Sequence, residues 1–67
     1  MSVREFYDMM VGNTEVAIVD SKGNILWEGI ETMKNPIPEL IQCTDIIKWS
    51  IDIFKKRLTL WIDEENV

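Results

Sequence analysis

The sequence predicts a small α+β domain, with an antiparallel sheet of about four strands in two hairpins, an N-terminal helix and a short second helix. Three patterns carry this expectation. Across residues 45–63, Ile47, Trp49, Ile51 and Ile53 interleave with Lys48, Ser50 and Asp52, and then Leu58, Leu60 and Ile62 bracket Thr59 and Trp61. Such period-two alternation turns successive side chains to opposite faces of a sheet, which marks two half-buried strands. Further upstream, two apolar runs flank a turn-forming cluster, and ahead of both lies a stripe at helical spacing.

The stripe consists of Val3, Phe6, Tyr7 and Met10, at i, i+3, i+4 and i+7, with Arg4, Glu5 and Asp8 turned outward. Ser2 and Glu5 have the spacing of a capping box, and Gly12 with Asn13 supply residues that tolerate a left-handed helix end. A helix over residues 3–11 follows. Val16 to Val19 is a short, largely β-branched run, Asp20 to Asn24 is a turn cluster, and Ile25 to Ile30 resumes the apolar pattern, so the three together read as a β-hairpin. Gly29 marks either a bulge or the end of pairing.

Asn35, Pro36 and Pro38 interrupt regular structure, and Pro38 suits the first position of a helix, which Leu40 and Ile41 would pack down as far as Cys43. Residues 44–54 admit two readings. As a continuing helix they make a tolerable stripe from which Trp49 and Ile53 fall away. As a strand, four apolar residues alternate without an error and three of them are β-branched, and the strand is preferred. Residues 54–57 then turn the chain without Gly or Asn, and residues 63–67 form a polar tail. All 67 residues belong to one domain.

A domain of this size buries only roughly 60% of its unfolded surface and commonly needs a staple. A single cysteine excludes an internal disulfide, and with no histidine there is no ordinary zinc site, so no metal and no cofactor are expected. Self-association is the staple that remains. Cys43 is expected to be a small buried apolar residue of a chain kept in a reducing cytoplasm. Charges at Arg4, Glu5 and Asp8 argue against a secretory leader, and no apolar run approaches the roughly 20 residues that span a bilayer. A net charge of −5 opposes direct binding to nucleic acid, and Lys55, Lys56 and Arg57 read as a solvated turn.

Catalysis is not expected. No histidine is present to serve as base in a triad, and the three glycines are too scattered for a phosphate loop. Asp20 and Asp45 border inferred elements and read as turn and cap residues, since nothing in the sequence builds a cleft around them. The tryptophans are more informative. Trp49 shares a face with three isoleucines and is expected in the core. Trp61 lies opposite Leu58, Leu60 and Ile62, on the outside if those three are buried. Trp27 joins it there if Leu26 and Ile30 are core residues. The candidate contact residues are therefore Trp27, Thr59 and Trp61, unless the tryptophans lie flat on their own sheet beneath stems such as that of Arg57.

The segments Asn13-Thr14-Glu15-Val16, Asp20 to Gly23 and Leu26-Trp27-Glu28-Gly29, with the isoleucine-rich strand pair, resemble those of a loose group of small phage and prophage accessory proteins of Gram-positive bacteria. The resemblance implies a setting, the bacterial cytoplasm of a phage host, and no functional residues. The expected function is that of a non-catalytic protein-interaction module, a homo-oligomer or a binder of a host protein such as a defence factor, acting through an open sheet face. The alternative is an acidic mimic of nucleic acid, in which Glu28, Glu31, Asp52 and the tail fill a basic groove on a host nuclease.

Overall fold

In the computed structural model, which describes residues 1–10 and 14–63 (for Met10 the backbone only), the capping box forms as expected. The Ser2 Oγ accepts from the Glu5 amide at 3.2 Å, and the Glu5 carboxylate accepts from the Ser2 amide at 3.3 Å. Helix α1 (Val3–Met10) follows and buries Val3, Phe6 and Tyr7. The expected helix end at Val11, Gly12 and Asn13 lies outside the described residues, as do residues 64–67 of the tail.

Four strands then form one sheet: β1 (Glu15–Val19), β2 (Ile25–Gly29), β3 (Ile46–Asp52) and β4 (Arg57–Ile62), with the short helix α2 (Glu39–Gln42) between β2 and β3. Pro38 is the residue that precedes α2. The α+β class, both helices and both hairpins are present, and residues 46–52 are strand.

One part of the fold expectation fails. The sheet is mixed, in the order β2-β1-β4-β3, because β4 inserts between β3 and β1 and runs parallel to β1. Alternation within a strand specifies its faces and says nothing about its neighbour. The segment through α2 carries the chain across to the far edge, and β4 returns into the middle.

The core lies on one face of the sheet. Val16 and Ile18 of β1 pair in register with Leu58 and Leu60 of β4, and Ile62 extends the row beneath α1. Ile37, within the proline-rich breaker segment that sequence patterning leaves unassigned, is also fully buried. Aliphatic burial of this kind supplies about 25 cal/mol per Å² removed from water and is the main force holding the layers together.

The two hairpin turns differ in chemistry. In the first, the Asp20 carboxylate accepts hydrogen bonds from the Lys22 and Asn24 amides, both at 2.9 Å, and from the Asn24 side chain, and Gly23 takes φ +89°. In the second, residues 53–56 make the turn and Arg57 already belongs to β4, one residue earlier than expected. The Asp52 carboxylate caps this turn by accepting from the Phe54 and Lys55 amides at 3.0 Å. The left-handed position falls on Lys56, at φ 53°. An L side chain there is strained by about 1–2 kcal/mol. Lys56→Gly is expected to stabilise the domain by about 0.5–1 kcal/mol net of the extra entropy it gives the unfolded chain, read as a higher denaturation midpoint.

Candidate functional site

Bulges decide where the tryptophans go. Between β1 and β2, Ile18 pairs with Trp27 but Val19 pairs with Ile25, so Leu26 is an extra residue in β2. Ile25 and Trp27, two apart in sequence, therefore lie on opposite faces. Trp27 shares the core face with Ile18 and is 8% exposed, which removes it from the expected surface patch.

Thr59 and Trp61 do lie together on the opposite, open face, as the β4 alternation predicts, and both are half-buried. Their surroundings are already occupied. The Lys48 Nζ sits 4.6 Å above the Trp61 ring, a cation–π contact. Arg57 reaches across β1 to bond Glu28 on β2, with Glu15 nearby at 3.6 Å. Beneath this polar cover Ala17 and Val19 are buried. The open face is thus largely closed by its own long side chains.

The bare surface is on the other side, along β3. Trp49 and Ile51 pair in register with Leu60 and Leu58, so they are on the core face as expected. Burial does not follow. Trp49 is 49% and Ile51 53% exposed, contrary to the expectation that Trp49 is a core residue. The reason is position in the sheet. β3 is an outer strand, and an open groove, not a packed layer, separates its core face from Phe6 and Met9 of α1. The Phe6 ring packs beside Trp49, at 5.7 Å between centroids.

The apolar margin continues in both directions. Ile47, displaced by a bulge between Ile46 and Lys48, is exposed, and past the strand end so are Ile53 and Phe54, the last 92% accessible. Between α1 and β3 lies a groove of about 290 Å³, walled by Met1, Phe6, Met9, Ile46, Ile47 and Trp49. Ile47 and Trp49 belong both to this groove and to the exposed row, which joins the two into one surface beside the outer edge of β3, whose first amide, at Ile46, bonds the Met1 carbonyl. The alternation places Trp49 and Ile51 on the right face, misses the bulge at Ile47 and the turn at Ile53, and does not foretell the exposure, since strand order is not written in it.

Other candidates resolve into structural roles. Asp20 is the acceptor at the centre of the first turn, and Asp45 faces the N-terminal amine at 3.9 Å. Cys43 is exposed at the end of α2, against the expectation of burial. Glu28 and Glu31, named in the acidic-mimic alternative, each bond an arginine of the same chain. Glu31 accepts from both terminal nitrogens of Arg4 at 2.8 Å and from the Ile37 amide, while its own amide donates to the Tyr7 hydroxyl. Those bonds hold its carboxyl below the usual range, the Arg4 hydrogen bonds being the largest cause, with burial working against them. Among the described residues no group of three His, Cys, Asp or Glu side chains is placed to hold a metal ion, and no helix is long and apolar enough to cross a membrane. Comparison of the chain with protein-family models, with curated proteins and with solved structures finds no match.

Proposed function

We propose that the protein is a non-catalytic interaction module that engages a protein through the outer edge of β3 and the apolar margin beside it. The observation that carries this reading is the exposure of Trp49 and Ile51 on an outer strand that, past the Ile46 amide bonded to the Met1 carbonyl, pairs along this edge with no other strand among the described residues. Long apolar edge strands are templates for pairing with another chain, and native proteins usually shorten, cover or charge them. Here the Met1 carbonyl takes the edge at Ile46, Lys48 and the bulge at Ile47 interrupt it further on, and Ser50 to Asp52 run on regularly. Backbone hydrogen bonds to the edge would supply affinity, and side-chain contacts with Trp49, Ile51 and the groove would supply specificity, as in recognition by strand addition. Thr59 and Trp61, on the closed face, are not part of this surface.

The test is capture with a tagged chain from a bacterial lysate containing an untagged copy. Wild type and Trp61→Ser are expected to retain a polypeptide that Ile51→Lys releases, with all three folded by circular dichroism. Retention by Ile51→Lys, or release by Trp61→Ser, contradicts the reading.

A further inference from the structure

The occupant of the β3 edge is legible in the strand's own charges. We infer that it is a second copy of this chain, whose β3 pairs antiparallel with the first about a two-fold axis through Ser50. The inference rests on the interaction reading above and names its partner.

In β3 the side chains of Lys48, Ser50 and Asp52 share the open face with Trp61, Thr59 and Arg57, while Trp49 and Ile51 share the core face with Leu60 and Leu58. Antiparallel pairing centred on Ser50 sets Lys48 of each copy opposite Asp52 of the other, and Trp49 opposite Ile51. Opposite charges meet twice on one face and apolar side chains meet twice on the other. Moving the centre to Trp49 or to Ile51 sets each charge against a neutral residue and loses both ion pairs. Directly opposed side chains in an antiparallel pair lie close enough for these contacts to stabilise it, and like charges in the same places would oppose it.

A second complementarity is independent of the charges. Beyond the strand ends, the same axis brings Ile53 and Phe54 of one copy toward Ile47 of the other and toward its Met1, which is bonded to the edge at Ile46 and walls the groove there. Phe54 is 92% exposed, and Ile46 and Ile47 wall the open groove of about 290 Å³ beneath α1. An aromatic ring with nothing to cover it and an apolar groove with nothing to fill it thus come together, twice per dimer. A phenylalanine can bury roughly 150 Å² or more in such a site. Both copies then present α1 on the same face of one eight-stranded sheet, and the exposed row along β3 is flanked on both sides.

Two measurements test the pairing. In sedimentation equilibrium, Lys48→Glu is expected to weaken the dimer roughly tenfold or more, because it opposes two carboxylates at each of the two positions. The exchanged variant, Lys48→Asp with Asp52→Lys, is expected to recover most of that loss. Asp52 also caps the second turn, so the second measurement leaves both charges in place. Ser50→Cys in a Cys43→Ser background is expected to oxidise to a covalent dimer, since self-paired residues on an antiparallel ladder have Cα atoms about 4.5–5.5 Å apart, within disulfide range. Absence of the covalent dimer together with an unchanged association constant for Lys48→Glu overturns the inference. If in that case Ile51→Lys still releases a different captured polypeptide, the interaction reading stands with another partner. If Ile51→Lys releases nothing, both fall.

Discussion

Trp27→Ala is expected to leave the chain unfolded at room temperature or close to it. Truncating a buried tryptophan typically costs about 3–5 kcal/mol through lost burial and the cavity left behind. At about 0.05–0.15 kcal/mol per residue, a chain of 67 residues has only about 3–10 kcal/mol in total. Trp27 closes the β2 end of the core against Ile18, and its indole Nε1–H is buried with no acceptor among the described residues. A stranded donor costs about 1–3 kcal/mol. Trp27→Phe removes that cost while keeping a ring in place, so its denaturation midpoint is expected within about 1 kcal/mol of wild type. Equal stability of Trp27→Ala and wild type would return Trp27 to the surface and contradict the bulge at Leu26.

The second large effect belongs to Glu31, which ties α1 to the segment after β2. Glu31→Gln is expected to cost about 1–2 kcal/mol at pH 7, a charged hydrogen-bond network discounted for the partial exposure of both partners. Arg4 is left with its guanidinium over the Tyr7 ring and with Asp8 as its remaining carboxylate. The pH dependence has a definite sign. The folded state holds the Glu31 carboxyl below its ordinary value, so acid protonates the unfolded chain first. The contribution is therefore complete above the unfolded value of about 4.3 and is lost as pH falls through the lower folded one. The stability gap between wild type and Glu31→Gln, read by denaturant titration, is expected to be widest near neutrality and to close in acid. A gap that stays constant down to the acid limit contradicts the assignment.

What was legible in the sequence was local. The capping box, the turn chemistry of Asp20 to Asn24 and the alternation in β4 each depend on residues a few positions apart, and each forms as expected. The errors come from relations that alternation does not encode. A single extra residue, Leu26, inverts the face of Trp27, because a side-chain period of two makes every one-residue slip a change of side. For Trp49 the alternation predicts the correct face and the wrong burial, since burial depends on β3 being outermost and on the open groove between it and α1. The parallel union of β1 and β4, distant in sequence, required β4 to return to the centre of the sheet, and nothing near either strand announces it. The candidate site shifted accordingly, from Thr59 and Trp61 on a face closed by Lys48 and Arg57 to the apolar margin of β3.

The most direct test of that surface is backbone amide hydrogen exchange of the wild-type protein, measured strand by strand over a dilution series. The two outer strands, β2 and β3, serve as each other's control. The alternate amides of residues 48–52 that point away from β4 are expected to be protected in concentrated solution and to lose protection on dilution, while those bonded to β4 and those of β2 exchange alike at every concentration. Exchange in β3 that is indifferent to concentration, or protection that appears along β2 instead, would contradict the account.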